Sequence, residues 1–400
     1  MDDPPKRGDS PPSVGSGMSF LIDGFQLVGS LGSVGTYTRE LVEGLIATGA
    51  AVSIALPREE LNTIGEALKD SRPSLGWLVA PHPLRPDKTY RDLLIWNHRT
   101  LPELARTSSP DVHVSVYHHT PAWMPRGIRR ATVIHDCCGL RVDCGYRFMG
   151  RAMMKHWSHL KAAATFADVI IPISEYTRQS FSKRFPSAAP KVVAPIYNAV
   201  SSLPIDQETV DLTLRRLGLS PNEFLLALAM PSKRKGTDVL IKGYQLYREQ
   251  GGRLPLVFFG SGRISSAEAG ADADTSGAIR VLGRIEDELR DSLFASATAF
   301  LFPSRCEGFG YPIVEAARRG CPVIAWQNTT APEILPHEQW MPTLDAEHLA
   351  TEIRSKESMS ESQRDATRRR LQQQASRFTG STLASSIMQL FKRPSSGHNS

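Results

Sequence analysis

Long apolar runs are missing from this chain of 400 residues. No stretch approaches the roughly 18 consecutive apolar residues of a membrane-crossing helix, so a bundle of spanning helices is not expected. The opening residues also lack the pattern of a signal peptide, which makes the cytoplasm the expected location, with a peripheral position at the inner face of the cytoplasmic membrane as its variant. Cysteine is scarce. Cys137, Cys138, Cys144, Cys306 and Cys321 form an odd, unevenly spaced set without the paired spacing of a structural zinc site, and they are expected as reduced thiols. Sequence repeats are absent, and the formal net charge is only +6. No aromatic-basic motif accompanies that charge, so nucleic acid is not an expected partner. What is present, 41% apolar and 22% charged residues, is the composition of a globular protein long enough for two domains with separate cores.

Residues 1–17 hold four prolines with Gly, Ser and Asp and no apolar periodicity, and are expected to be disordered. From Met18 onward, short apolar segments alternate with helix-compatible ones, which argues for a mainly parallel sheet. Ser19 to Asp23 reads as a strand leading into Gly29-Ser-Leu-Gly32-Ser-Val-Gly35, and then Tyr37, Leu41 and Leu45 recur every four residues until Gly49 closes a helix. The Gly-x-x-Gly-x-x-Gly spacing differs from the dinucleotide fingerprint, and no acidic ribose partner follows at about twenty residues. A Rossmann oxidoreductase is disfavoured, while a phosphate-approaching loop at Gly35 stays open. Further strands are expected at Ala51 to Leu56, Val112 to Val116, Ala131 to His135 and Asp168 to Ile173. Ligands of such sheets sit beyond the C-terminal strand ends, where His135-Asp136 and Ser174-Glu175 fall. The other reading of His135 is a structural hydrogen-bonding group.

Charge is unevenly spread. Between Arg126 and Lys161 there are eight Lys or Arg against Asp136 and Asp143. Within this segment Arg147 to Lys161 reads as a basic amphipathic helix rich in Met and Trp. Such a helix suits weak contact with an anionic membrane surface, or a core-packed helix with a solvated basic face. After a linker at residues 195–204 the strand pattern restarts at Phe224 to Ala229. Met230-Pro-Ser-Lys-Arg-Lys-Gly236 then turns into a helix with the apolar stripe Leu240, Tyr244 and Tyr247. Lys233, Arg234 and Lys235 thus crowd a helix N-terminus, against the helix dipole by about 0.3–1 kcal/mol per exposed charge unless an anion binds them. A phosphate or diphosphate would resolve the conflict; a solvent-screened basic loop is the alternative. Asp272-Ala-Asp274 has the form of a metal-binding pair, but nothing strand-like leads into it, and no metal is expected.

The segment Phe300 to Gly320 joins a strand to a short helix through a loop carrying Gly308 and Gly310, with Pro312 suited to the first helical turn and Gly320 to its end. Glu307 lies in the loop. Glu315 is about one turn into the helix and leans back toward it, so both carboxylates are expected to face one crevice. Carboxylates for hydroxyl groups and free N–H groups for an anion fit a nucleotide sugar, against the alternative of a capped turn with Glu315 on a solvated face. Thr330 to Glu333 reads as a capping box. Two closing helices are expected near Arg364 to Ala375 and Ser381 to Phe391.

Glu307-Gly-Phe-Gly-Tyr-Pro-Ile-Val-Glu315 resembles the signature of the retaining glycosyltransferases of family 4 (glycosyl transferases group 1). Other similarities occur in family order: Val34-Gly-Thr-Tyr-Thr-Arg-Glu-Leu41, Val133-Ile-His-Asp136, Ile173-Ser-Glu-Tyr-Thr-Arg178, Asn198-Ala-Val200, Lys235-Gly236, Gly260-Ser-Gly262 and Ala331-Pro-Glu333. The resemblance implies an α/β protein of GT-B fold, two facing Rossmann-like domains with an interdomain cleft. It implies an acceptor-binding domain at 18–198, a nucleotide-sugar-binding domain at 199–375, a helix at 376–392 crossing back to the first domain, and a disordered tail at 393–400.

By the same resemblance, Glu315 contacts the nucleotide ribose and Glu307 the donor sugar, with the backbone at Phe309 and Gly310 near that sugar. Lys235 neutralises the diphosphate, Gly35 lets the first loop approach it, and His135 organises sugar or acceptor from the other domain. An Arg usual in the family about five residues before the Lys is Met230 here, with Lys233 and Arg234 as neighbouring cations. The implied activity is metal-independent retaining transfer of a hexose, mannose first and rhamnose next, without a cofactor. Its partners are a nucleotide diphosphate sugar and a saccharide or lipid-linked acceptor in bacterial envelope polysaccharide assembly. The alternative is a catalytically weakened sugar-nucleotide-binding scaffold that partners an active transferase.

Overall fold

The computed structural model describes residues 17–25, 32–58, 75–80, 90–145, 150–201, 204–230, 232–262 and 278–392. All but residue 17 of the tail expected at 1–17, the tail expected at 393–400, Gly29, Arg147 and the Asp272 to Asp274 pair lie outside the described residues.

Two six-stranded sheets organise the chain. The first contains β1 (Ser19–Asp23), β2 (Ala51–Leu56), β3 (Leu75–Val79), β4 (Val112–Ser115), β5 (Arg129–Ile134) and β6 (Val169–Pro172), in the order 3-2-1-4-5-6 and parallel throughout. The second contains β7 (Leu225–Leu228), β8 (Leu256–Phe259), β9 (Ile279–Val281), β10 (Ala299–Phe302), β11 (Val323–Trp326) and β12 (Trp340–Met341), in the order 12-11-10-7-8-9 and again parallel. Numbered from its own first strand, the second sheet repeats the order of the first. The order therefore reverses direction between β1 and β4 and between β7 and β10, and ligands of doubly wound sheets bind at such switch points. β4 and β10 are buried at every residue, as strands covered on both faces must be.

The helices that bear on the site are α1 (Ser33–Ala47), α2 (Arg151–Phe166), α3 (Glu175–Arg184), α4 (Thr237–Glu249), α5 (Asp287–Ser296), α6 (Tyr311–Arg318) and α7 (Gly380–Phe391). The basic helix α2 buries Met153, His159, Leu160 and Ala163 while Met154 and Trp157 stay exposed. It packs on the core and presents an apolar-basic outer face. The final helix, α7, lies on α1 at a crossing that only small residues allow. A Cβ on Gly44 would stand 2.5 Å from the Gly380 carbonyl oxygen and 2.8 Å from Ala384 Cβ. Phe391 of α7 meets Phe20 of β1 edge to face at 6.3 Å. One apolar cluster runs from β1 and α1 through Ile196, Ala199 and Val200 to Phe309, Phe378 and α7, so the two halves share a core beside the linker.

Candidate functional site

The second switch point brings together the ends of β7 and β10. Beyond β7 the chain makes a short 3-10 turn at Lys233–Lys235, passes Gly236 in the left-handed region (φ +71°), and starts α4. Beyond β10 it supplies Ser304 to Gly308. Lys235 Nζ lies 2.6 Å from Glu307 Oε1, the Ser304 hydroxyl donates to the same oxygen at 2.6 Å, and Arg234 Nη1 lies 3.6 Å from Glu307 Oε2. Burial alone would raise the Glu307 pKa, but Lys235 and then Arg234 outweigh it and hold the carboxyl below its usual range. The crowd of cations expected to need an outside anion thus has an internal one. Lys233 is exposed, and its carbonyl accepts Arg305 Nη1 at 2.6 Å and the Gly236 N–H at 3.2 Å. Arg305 also grips Asp238 in the first turn of α4 at 2.6 and 2.8 Å, where an acidic residue suits the helix dipole.

Glu315 has a different partner from Glu307. It sits on α6, whose N-cap Gly310 has φ +88° and whose first turn holds Pro312, and its Oε2 lies 3.5 Å from Arg290 Nε of α5. Burial raises its pKa above the usual carboxylate range, with Arg290 opposing. A carboxyl in that position gains from any hydroxyl that donates to it. Phe309 turns its ring into the core against Tyr311 and Phe378, at 5.3 and 5.4 Å, so only its backbone is left for a ligand.

On the first half, His135 follows the end of β5. Its Nε2–H donates to the Val116 carbonyl at 2.7 Å, which leaves Nδ1 as the lone-pair nitrogen. Burial lowers its pKa, and the bond to Val116 only partly offsets this. Tyr37 of α1 meets the ring edge to face at 5.2 Å. His118 Nε2 accepts the backbone N–H of His135 at 3.0 Å and of Asp136 at 3.3 Å, and His119 Nε2 meets Asp23 Oδ2 at 3.0 Å. Sequence reasoning missed His118, His119, Asp23 and Ser304. The available signal was position: Tyr117-His118-His119 follow β4 as His135-Asp136 follow β5, at the first switch point. Gly35 is buried in the first turn of α1.

The halves meet at this seam. A Cβ on Gly308 would stand 1.6 Å from the His135 carbonyl oxygen, so the loop bearing Glu307 packs directly on the strand end bearing His135. Thr177 Oγ1 lies 3.4 Å from the His135 carbonyl oxygen and 3.3 Å from that of Gly308. Two sequence expectations are corrected here. Thr330 to Glu333 forms no capping box. The Thr330 hydroxyl donates to the Phe309 carbonyl at 2.7 Å, and the Glu333 carboxylate crosses the seam to accept the N–H groups of Glu175 and Tyr176 at 2.6 and 2.8 Å. It caps α3 of the other half and also accepts the Tyr197 hydroxyl at 3.0 Å. The cysteines are not all reduced. Cys138 and Cys306, 168 residues apart, form a disulfide across the seam, because the turn after β5 and the loop after β10 come face to face. Cys137, Cys144 and Cys321 are free and buried. Among the described residues no group of three or more His, Cys, Asp or Glu is placed to hold a metal ion.

Comparison with known proteins agrees with this architecture. The family described as glycosyltransferase family 4 matches residues 34–202, and glycosyl transferases group 1 matches residues 215–376. O-antigen chain mannosyltransferase B of Escherichia coli is 28% identical over 259 residues, covering 61% of this chain and 65% of that one. A GDP-mannose-dependent monoacylated alpha-(1-6)-phosphatidylinositol monomannoside mannosyltransferase of Corynebacterium glutamicum is 31% identical over 183 residues, covering 44% and 48%. The matched stretch thus spans about half to two thirds of these relatives. HepE of Anabaena, solved with UDP-glucose, superposes with a TM-score of 0.68 at 17% identity, over 93% of this chain and 99% of that one, and so shares the fold.

Proposed function

The chain belongs to glycosyltransferase family 4, with the GT-B fold, and from that membership we propose that it moves a hexosyl group, mannose first and rhamnose second, from a nucleotide diphosphate sugar to a hydroxyl of a saccharide or glycolipid acceptor in bacterial envelope polysaccharide assembly. The relatives named above, mannosyltransferases of O-antigen and of phosphatidylinositol mannosides, support the sugar and the acceptor class. The observation that carries the reading is the group of Lys235 and Arg234 around the buried Glu307 and Ser304 at the second switch point.

In this reading the bond from the anomeric carbon to the diphosphate breaks, the acceptor oxygen bonds to that carbon with retention, and the acceptor proton leaves with the diphosphate. Negative charge grows on the leaving diphosphate, and Lys235 with Arg234 stabilises it where that matters for rate, without a divalent metal. Arg234 supplies the second cation that Met230 does not. Glu307 and Glu315 bind donor hydroxyls rather than attack the sugar, which separates the site from the carboxylate pair of retaining glycosidases. His135 offers Nδ1 to the sugar from the opposite half.

The test is a panel of nucleoside diphosphate mannoses, rhamnoses and glucoses, each incubated with mannoside acceptors in EDTA, with the product anomer assigned by NMR. An α-linked product from one α-linked donor is expected. No product with any donor, or a product of inverted configuration, would overturn the proposal.

A further inference from the structure

The two halves meet on two sides of different chemistry. Beside the linker the contact is apolar: Ile196, Ala199 and Val200 share a cluster with Phe309, Phe378 and α7, and the Tyr197 ring meets Phe378 edge to face at 5.7 Å. The Val200 N–H donates to the Phe378 carbonyl at 3.1 Å. Buried apolar surface of this kind keeps the halves attached. Toward the strand ends the contact is polar and made by small residues. Glu333 accepts the N–H groups of Glu175 and Tyr176, Thr177 reaches the Gly308 carbonyl, and Arg141 donates to the Tyr176 hydroxyl. A Cβ on Gly145 would stand 3.3 Å from Lys233 Cβ. Hydrogen bonds here exchange for bonds to water at small net cost, and interfaces that are not large and hydrophobic leave domains free to move. Such contacts alone hold the seam weakly.

A covalent bond reinforces it. Cys138, on the 3-10 turn Cys138–Leu140 after β5, is joined to Cys306 on the loop after β10, 168 residues further on. Cys138 lies just past His135-Asp136 and Cys306 immediately precedes Glu307, so the bond fixes the spacing between the two loops that opposite halves contribute to the candidate site. It is also shielded. Cys138 and Cys306 are 2% and 1% exposed, with Cys144 and Tyr176 packed around them. Burial raises the pKa of the Cys144 thiol, which keeps it protonated, and the thiolate is the form that attacks a disulfide. The bond thus stays between Cys138 and Cys306 rather than passing to the third cysteine.

We infer that the Cys138–Cys306 bond is a redox-controlled clamp on motion between the halves. Oxidised, it holds the seam shut; reduced, it lets the seam open, with the apolar contact beside the linker as the hinge. A dithiol reductant supplies two electrons and two protons: one of its thiolates attacks a sulfur of the bond, its second sulfur resolves the mixed disulfide, and it leaves as a disulfide while Cys138 and Cys306 become thiols. No ligand enters the inference, which stands apart from the transferase reading.

Hydrogen-exchange mass spectrometry on the full chain without ligand tests it, after diamide oxidation and after dithiothreitol reduction, with the bond located by peptide mapping. The reporters are the amides of Glu175 and Tyr176 in the first turn of α3, where a helix offers no acceptor of its own and the Glu333 carboxylate of the other half supplies one. They should exchange at least tenfold more slowly in the oxidised protein than in the reduced one. Cys138→Ser and Cys306→Ser should exchange at the reduced rate under both conditions. Amides of β4 and β10 should be unchanged, and the radius of gyration from small-angle scattering should rise only where the bond is absent. The wild type in its two redox states carries the comparison even where a serine variant folds poorly. Equal exchange at Glu175 and Tyr176 in the two states, with the bond verified in the oxidised one, would overturn the clamp. So would equal acceleration of β4 and β10, the mark of a bond that only stabilises the whole fold, or recovery of both cysteines as free thiols after diamide.

Discussion

Glu307 is the residue on which most of the site depends. It is buried, it accepts from Lys235 and Ser304 on one oxygen, and it faces Arg234 with the other. Removing one partner of a buried ion pair leaves an uncompensated charge, which typically costs about 3–5 kcal/mol, whereas replacing both partners by neutral groups of similar shape is often tolerated. Lys235→Ala is therefore expected to lower stability to urea far more than Lys233→Ala, whose side chain is exposed. The pair Lys235→Met with Glu307→Gln should recover much of that loss. Recovery of folding should not bring recovery of function: if Lys235 stabilises a leaving diphosphate as proposed above, transfer should remain down by roughly 10²-fold or more. Urea midpoints alongside transfer rates check this. A double variant as unstable as Lys235→Ala alone would show that the Lys235–Glu307 pair is not the stabilising unit.

At the scale of elements, what can be read from the chain is what has a local imprint. β1 and β2 occupy the spans that their apolar runs predict, and α6 begins at Gly310-Tyr311-Pro312 because a left-handed glycine and an N-terminal proline leave little choice. Strands β3, β9 and β12 carry no such imprint. β3 and β9 are largely half-exposed or exposed and β12 has two residues, so neither a buried apolar run nor a strict alternation marks them. The site behaves in the same way. The glycine loop at Glu307 and the basic turn at Lys235 stand out locally, and the structure brings them into contact. Their mutual neutralisation does not stand out, because nothing near Lys235 in sequence indicates a carboxylate supplied by the loop after β10. Glu333 makes the same point: a local rule assigns it to its own helix, while tertiary contact gives it to α3. The Cys138–Cys306 bond is the extreme case, since spacing rules recognise cysteines that are neighbours in sequence and these two are neighbours only once both sheets have formed and met.

At the scale of the whole molecule, buried histidines are concentrated in the first half, and they set a pH limit on its stability. Burial lowers the pKa of His113, His118, His135, His156 and His159, with His113 and His159 brought to about 4. His113 shows the balance of terms: burial lowers it, the Asp23 charge opposes that, and His119 and Arg130 add to the lowering. A base whose pKa is depressed on folding binds fewer protons in the folded state than in the unfolded one. Stability is therefore full above the unfolded value near 6.5 and falls as pH drops from there toward 4. One histidine of this kind loses roughly 2 kcal/mol by pH 5, at 1.36 kcal/mol per unit below 6.5. Glu315 acts in the opposite sense: its raised pKa makes its contribution largest at low pH and smaller as pH rises through its folded value. A single carboxyl cannot offset five imidazoles, so the urea midpoint should drop steeply between pH 7 and pH 5. His113→Asn, compared with wild type at each pH, should show a shallower slope over that range even if it is less stable at pH 7. A flat profile from pH 7.5 to 5 in the wild type would mean that these histidines take up protons without unfolding the first sheet around them.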